Sequence, residues 1–259
     1  MKPPAVMVQV SEILKDRAVV LKTYDFGESS VVVVALTREH GKVRFLAKGA
    51  KRGKSRFFGR LRTGSLVELV FYFREQRELQ LLKEISGLGF CRPGGGDLDK
   101  LCIFQAGLEI ADRSIIGRES DEEMFDLLEG FIIELPSSED PWSAFLALEI
   151  RLLKAVGFYP STARCNECHR SLAGETLRIE PRSGLVTCGT CSGGGALSLS
   201  PASCELLCML EKGEFRDIEK VELGIEARRE IGEFLHHLFL HHIDGYRFPY
   251  ALRILKGVN

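Results

Sequence analysis

The sequence has no apolar run that approaches the roughly 20 residues needed to cross a membrane as a helix. Its first residues also lack the long apolar stretch of a secretory signal peptide. These absences exclude an integral membrane protein and argue against export. We therefore expect a soluble protein of the cytoplasm that makes no contact with membranes.

Motifs of several enzyme classes are missing as well. Residues 49–55, GAKRGKS, place three residues between the two glycines where a P-loop needs four, so a phosphate cradle of that kind would not close. His237 and His241 have the spacing of metal ligands, but no glutamate completes an H-E-x-x-H motif, and we interpret them as partly exposed or core histidines. No H-x-E motif accompanies a P-C-x-x-C motif, which excludes a zinc deaminase.

One segment lacks acidic residues altogether. Between Gly41 and Val67 there is no Asp or Glu, and the net charge is +9 for residues 1–92 but −10 for residues 93–259. Such a run attracts a polyanion, because each neutralised phosphate releases counterions. We therefore predict a nucleic-acid surface rather than a merely solvated charged face, with aromatic rings available for base stacking. Its candidate residues are Lys42, Arg44, Lys48, Lys51, Arg52, Lys54, Arg56, Arg60 and Arg62, with Phe45, Phe57 and Phe58 as rings.

Four of the eight cysteines have the spacing C-x2-C-x19-C-x2-C: Cys165, Cys168, Cys188 and Cys191. Each C-x-x-C turn aims two sulfurs at one point, and two such turns complete the tetrahedral thiolate shell that Zn²⁺ accepts. Because protein ligands fill every position, we expect a structural zinc that stabilises a ribbon at about residues 161–196. Disulfides are the weaker alternative, since nothing in the sequence suggests export.

The first ninety residues contain short β-branched and aromatic runs separated by glycines, which predicts five strands. The runs are Val19–Tyr24, Ser30–Leu36, Val43–Ala47, Leu66–Phe73 and Leu79–Ile85. Five short strands fit a small barrel such as the OB-fold, which binds oligonucleotides. The pattern alone does not separate an OB-fold from an SH3-like barrel.

Residues 93–96, PGGG, interrupt this pattern and mark the predicted boundary between a barrel domain at 1–90 and a helical domain at 97–259. Beyond them, apolar runs of helical period follow helix-start signals, and a last long helix is expected from Ile225 to Ile243. The predicted fold class is α+β with two domains, a five-stranded barrel and a helical bundle into which the zinc ribbon is inserted. The start signals are Asp97, Ser120 with Glu123, Asp140-Pro141 and Ser200-Pro201.

An ordered set of short motifs resembles a known family. The motifs are VVL at 19–21, GES at 27–29, TREHGK at 37–42, KGAKR at 48–52, KSR at 54–56 and GFYP at 157–160. Their order resembles the bacterial RecO recombination mediator proteins over about residues 18–250. The chain departs from the family pattern at three places. Family members often have an acidic residue where Ser30 stands, a glycine where His169 stands and Gly-Gly where Ser183-Gly184 stands. These departures bear only on local geometry.

The resemblance implies an N-terminal OB-fold, a helical domain with a zinc ribbon, and no catalytic centre. It implies a nucleoid-associated protein that binds single- and double-stranded DNA and anneals complementary strands. Together with RecR, such a protein helps RecA to load onto DNA coated by single-stranded-DNA-binding protein, whose acidic tail contacts the helical domain. Carried over by position, the DNA-binding role falls on Lys42, Lys48, Lys51, Arg52, Lys54 and Arg56.

Two other classes of function stay open from the residues alone. A metal-dependent nuclease could use the barrel to hold its substrate, although the acidic clusters at 121–123 and 139–140 are explained as helix starts. An RNA- or ribosome-binding factor could also combine a barrel with a zinc ribbon.

Overall fold

The computed structural model describes residues 11–89, 97–115, 117, 120–180, 183–193, 197–213, 215–218 and 221–258. The predicted boundary at 93–96 lies outside these ranges. The chain divides into two compact units: a barrel unit, Met1–Cys91 with Ile116–Asp126, and a helical unit, Arg92–Ile115 with Leu127–Asn259. The short segment at 116–126, which the sequence placed in the helical domain, thus groups with the barrel.

The barrel unit contains five strands that close on themselves in the order β1-β2-β3-β5-β4. Strands β3 and β5 run parallel, whereas the other neighbouring pairs, including β4 with β1, are antiparallel. This strand order is that of the OB-fold. The barrel is therefore an OB-fold and not the SH3-like barrel that the sequence pattern also allowed. The strands are β1 Glu12–Phe26, β2 Ser30–Thr37, β3 Gly41–Ala47, β4 Leu66–Phe73 and β5 Leu79–Gly89.

Alternation along β3 separates the core of the barrel from its outer face. Val43, Phe45 and Ala47 are buried in the core, and the ring of Phe45 lies 4.9 Å from that of Phe71. Residues Arg44 and Leu46 therefore point outward, as the two-residue period of a strand requires. Phe45 is a core residue and presents no ring to a ligand.

A bulge in β1 changes which side chains face outward near its end. Val20 belongs to the barrel core, but the pairing with β2 shifts between Val20 and Lys22. The extra residue moves the even-numbered side chains to the outer face, so Lys22, Tyr24 and Phe26 point away from the core. β1 also begins seven residues earlier than predicted, because its polar first half pairs with β4.

The helical unit packs around α3, which contacts α1, α4, α5 and α6. Gly107 on α1 permits a close approach to α2: a Cβ there would lie 2.4 Å from the Cε1 atom of Phe131. The helices are α1 Leu98–Ser114, α2 Glu122–Glu134, α3 Pro141–Ala155, α4 Pro201–Lys212, α5 Phe215–Ile218, α6 Ile225–His242 and α7 Tyr250–Val258. The ribbon adds strands β6 Leu177–Ile179, β7 Val186–Thr187 and β8 Leu197–Leu199, paired in the order β7-β6-β8.

Most of the predicted helix caps are confirmed. The side chains of Asp97, Asp140 and Ser200 accept hydrogen bonds from the first-turn N–H groups of α1, α3 and α4. The exception is α2, where Asp121 rather than Ser120 accepts from the N–H of Met124, at 2.9 Å.

Two helix ends have well-defined caps. Gly157 follows α3 with a φ of +78°, and the N–H of Phe158 bonds to Leu153 O at 2.8 Å, as in a Schellman motif. Helix α6 ends at His242 with Ile243 as its C-cap, within one residue of the predicted end. Among the described residues, no helix combines the length and the apolar character that crossing a membrane requires.

Candidate nucleic-acid interface and metal centre

The acid-free basic run forms one strand and the connection that follows it. Lys42 and Arg44 lie on β3, and the other cationic candidates lie on residues 48–65, which join β3 to β4 and which we call the basic loop. Exposed side chains dominate its first half: Lys48, Lys51, Arg52, Lys54 and Arg56.

The basic loop is fastened to the barrel by one buried ring and two arginines. Phe57 is only 5% exposed and packs in the barrel core, so it anchors the loop and offers no ring face for a base. Arg56 and Arg60 donate to the backbone carbonyls of Lys83 and Ile85 on β5, both at 3.0 Å. Since each guanidinium has five N–H groups, both arginines keep further donors for a ligand.

Phe58, the next residue along the loop, is exposed rather than buried. Phe58 is 64% exposed, so of the two rings proposed for stacking on the loop only this one is accessible. Phe45 is not accessible for stacking either, because it is buried inside the barrel. The aromatic part of the predicted interface is therefore smaller than the sequence suggested.

A groove of about 480 Å³ opens between the basic loop and the outer faces of β4 and β5. It brings together four of the predicted cations, Lys48, Arg52, Lys54 and Arg56, and adds Tyr72 and Lys83. Sequence reasoning missed the last two because they lie beyond the acid-free run. Only the strand pairing reveals them, since Leu81 on β5 lies beside both Leu46 on β3 and Tyr72 on β4.

The loop is also tied to the turn between β1 and β2. The ammonium of Lys51 lies 2.6 Å from the carboxylate of Asp25, and the N–H of Lys51 donates to Ser29 O at 3.0 Å. Asp25 partly neutralises Lys51. We therefore expect Lys51 to contribute less to the binding of phosphates than Lys54.

The four predicted cysteines converge on one point in the helical unit. Their sulfurs all lie within 4.8 Å of one another, and the Cys168 and Cys188 sulfurs are 3.8 Å apart. A tetrahedron with Zn–S bonds of about 2.3 Å has edges of about 3.8 Å, so the arrangement fits a four-thiolate metal site. Within the described residues, no other group of three or more His, Cys, Asp or Glu side chains is placed to hold a metal ion.

Backbone hydrogen bonds prepare two of these sulfurs for a cation. The N–H of Cys168 lowers the pKa of Cys165 to about 6. Burial opposes ionisation of Cys188, but the N–H groups of Cys191 and Thr190 leave its pKa lowered. The sulfur of Cys188 raises the pKa of Cys191 to about 12, so metal binding would displace a proton there.

Two histidines of α6 contact aromatic side chains. The Nδ1 atom of His236 lies 2.9 Å from the hydroxyl of Tyr246, and the ring of His242 stacks on Phe158 at 4.8 Å. Of the two histidines with metal-ligand spacing, His237 is half-buried and His241 is exposed.

Comparison with known families covers nearly the whole chain. Residues 10–90 match the family model for the Recombination protein O N terminal, and residues 95–249 match that for the Recombination protein O C terminal. The chain belongs to the RecO family. Its membership places it among proteins of DNA recombination and repair.

Curated RecO relatives align over most of their length. A DNA repair protein RecO from Anaeromyxobacter dehalogenans strain 2CP-C is 30% identical over 235 residues, which cover 89% of this chain and 91% of the relative. One from a Nocardioides species is 32% identical over 211 residues, covering 80% and 86%. One from Symbiobacterium thermophilum is 30% identical over 226 residues, covering 84% and 87%.

One departure from the RecO pattern has a structural explanation. His169, which follows Cys168, has a φ of +59°, the left-handed conformation that glycine adopts without strain. Among the described residues it is the one non-glycine with a positive φ. The ribbon therefore tolerates a side chain at a position where the backbone favours glycine.

Proposed function

We propose that this chain is a non-enzymatic recombination mediator that binds DNA through the barrel unit. The observation that carries the proposal is the groove between the basic loop and the outer faces of β4 and β5 of the OB-fold barrel. Lysines, arginines and one tyrosine are among the residues that line it. Phosphate contacts there would bind single- and double-stranded DNA without regard to sequence.

Strand annealing follows from the same surface. Complementary strands repel each other through their phosphates, and a cationic groove that neutralises one strand lowers that barrier without hydrolysis of a nucleotide. We expect the protein to accelerate annealing at low salt without ATP. Incubation with complementary labelled oligonucleotides and magnesium tests this, because duplex supports a mediator and shortened strands support a nuclease.

The nuclease alternative has little support among the described residues, where no group of carboxylates is placed to bind the metal ions that such an enzyme uses. The RNA- or ribosome-binding alternative shares the same surface chemistry. Competition between DNA and RNA oligonucleotides of equal length and charge separates it from the proposal, since a mediator of recombination should prefer DNA.

The partners belong to the proposal too. We propose that the protein acts with RecR, in the cytoplasm at the nucleoid, to help RecA assemble on DNA coated by single-stranded-DNA-binding protein. We also propose that the four cysteines hold a structural Zn²⁺, the metal that a closed shell of four thiolates favours.

A cavity in the helical unit supports the contact with the acidic tail of single-stranded-DNA-binding protein. It measures about 460 Å³ and is walled by apolar rings, among them Trp142, Phe145 and Phe248. The Nη2 atom of Arg228 lies 3.5 Å from the carboxylate of Asp140, but its buried Nε atom has no hydrogen-bond partner among the described residues and can donate to a carboxylate of the tail. Burial raises the pKa of Glu149 well above its usual value, which favours the neutral form of this side chain, and the other carboxylate of the lining, Glu233, is paired with Arg229 at 3.2 Å.

Binding of the tail peptide can be measured with Arg228→Ala. We expect the variant to lose affinity for a labelled acidic peptide while it retains affinity for DNA. Unchanged peptide binding would place the contact elsewhere.

A further inference from the structure

Two aromatic side chains protrude from the hairpin formed by β1 and β2, which we call the aromatic hairpin (residues 22–30). Tyr24 is 48% exposed and Phe26 is 53% exposed. They lie two residues apart on one strand and so share a face, and the bulge after Val20 turns that face outward. Neither ring belongs to the barrel core.

The outer face continues from these rings across the neighbouring strands. Tyr24 pairs with Val32 on β2, and Val32 pairs with Leu46 on β3, so three side chains form an apolar row. Two residues further from the hairpin tip, Val34 on β2 pairs with Lys22 on β1 and with Arg44 on β3, so two cations flank it on the same outer face. An apolar row of this kind beside a row of cations suits a ligand with flat apolar rings and an anionic backbone.

One cation lies directly beside the Tyr24 ring. The Lys22 ammonium lies 5.7 Å from the centre of the Tyr24 ring. On the opposite face, Asp25 is paired with Lys51 of the basic loop. Glu28, in the turn beyond Phe26, leaves an acidic group at the tip, so the phosphates of a ligand would follow the Lys22 side.

We propose that Tyr24 and Phe26 form a stacking platform for the unpaired bases of single-stranded DNA whose phosphates follow the cations of the barrel. This rests on the proposed DNA-binding function and adds to the phosphate contacts of the basic groove a means to tell single strands from duplex. Bases within a duplex stack on each other, whereas unpaired bases can turn onto exposed rings. Phosphates, which both forms of DNA carry, give no such distinction.

The test compares three ligands of equal length at one salt concentration: a labelled oligo-dT, an oligonucleotide of abasic sites, and a duplex. We expect the double variant Tyr24→Ala, Phe26→Ala to bind oligo-dT about 10-fold or more weakly, because the bases can no longer stack on these rings. Its affinity for the abasic strand and for the duplex should stay as in the parent protein. The slope of log K against log salt should not change, since no phosphate contact is removed.

Two control variants sharpen the result. The exchange Tyr24→Phe, Phe26→Tyr keeps both rings and should keep full affinity for oligo-dT. Phe58→Ala removes an exposed ring from the basic loop and should have less effect than the hairpin variant. Circular dichroism establishes that each variant is folded.

A second measurement does not depend on removing the rings. Tyr24→Trp places an indole on the hairpin, and its fluorescence should fall when oligo-dT binds but not when the abasic strand binds. Trp142 is the chain's own tryptophan and supplies the background signal in the parent protein.

Several outcomes would overturn the inference. Full affinity of the folded double variant for oligo-dT would do so, as would an equal loss for all three ligands. If the parent chain were a dimer that the double variant converts to a monomer, the rings would serve contact between copies instead. Failure of the parent chain to bind any of the three ligands would instead refute the proposed DNA-binding function.

Discussion

The basic loop and the zinc ribbon are both long inserted segments with little regular structure, yet they are held in different ways. The basic loop is fixed by the buried ring of Phe57 and by arginines that donate to β5. The ribbon converges on four sulfurs. The basic loop is anchored in the core of the barrel while its cations stay exposed, whereas we expect the ribbon, which has no sizeable core of its own, to depend on a bound metal for its fold.

The largest effect should come from breaking the metal site. In Cys165→Ser we expect the bound zinc to fall well below one equivalent and the helical unit to unfold at a lower temperature, because structural zinc sites in small domains contribute about 10 kcal/mol or more. Elemental analysis and thermal unfolding measure the two quantities. Affinity for DNA should persist, because the basic loop does not use the metal. Full retention of zinc would contradict the four-thiolate assignment.

Phe57→Ala should break the anchor of the basic loop. Truncating a fully packed Phe costs about 3–5 kcal/mol, so the barrel should unfold at a lower denaturant concentration. The neighbouring Phe58→Ala is the matched control, since it removes an exposed ring and should leave stability almost unchanged. Equal effects of the two changes on denaturant unfolding would show that Phe57 does not anchor the loop.

Replacing Lys51, Arg52 and Lys54 together with Ala should weaken binding to unrelated DNA sequences by similar factors. The slope of log K against log salt should become shallower by about 0.7 for each phosphate of a single strand that the variant no longer neutralises. Annealing of complementary oligonucleotides should slow in parallel.

A matched control removes three exposed cations from the helical unit, with Lys212, Arg247 and Arg253 replaced by Ala. It changes the net charge equally and should leave the salt slope intact. An unaltered annealing rate in the folded loop variant would place the responsible surface outside residues 42–62.

The smallest effect concerns a single ion pair. Lys51→Ala should weaken DNA binding less than Lys54→Ala, because Asp25 already offsets the charge of Lys51. Asp25→Asn should then strengthen binding slightly by releasing that lysine. Titrations at low salt, where surface charges are least screened, give the greatest sensitivity. A decrease in affinity at Lys51 equal to that at Lys54 would mean that the ion pair opens when DNA binds.

The difference between the two segments also explains what the sequence could predict. The four-cysteine cluster could be predicted because its members are encoded in local spacing, and each C-x-x-C turn supplies half of the set. The groove could be predicted only in part, since Tyr72 and Lys83 reach it through the pairing of β5 with β3 and β4. Within a loop that has no period, nothing in the sequence distinguishes the buried Phe57 from the exposed Phe58.

The elements of secondary structure also differ in whether a local sequence pattern or a distant contact determines them. The five strands could be predicted from their β-branched runs, but the polar first half of β1 could not, because its extended form depends on its pairing with β4. Helix α7 was not predicted either, because its nine residues are few for a periodic pattern and the N–H of Tyr250 is capped by Glu109, far away in the sequence. Contacts distant in sequence leave no local pattern.

The bulge in β1 makes the length of that strand matter as much as its composition. Val20 lies opposite Ala35 and Lys22 lies opposite Val34, so Leu21 is the extra residue of the bulge. Deleting Leu21 would therefore remove the bulge and leave Tyr24 and Phe26 facing outward, whereas deleting Thr23, beyond the bulge, would turn both rings toward the inside of the barrel. During evolution this strand should therefore tolerate the loss of residue 21 far more readily than the loss of a residue between the bulge and the turn.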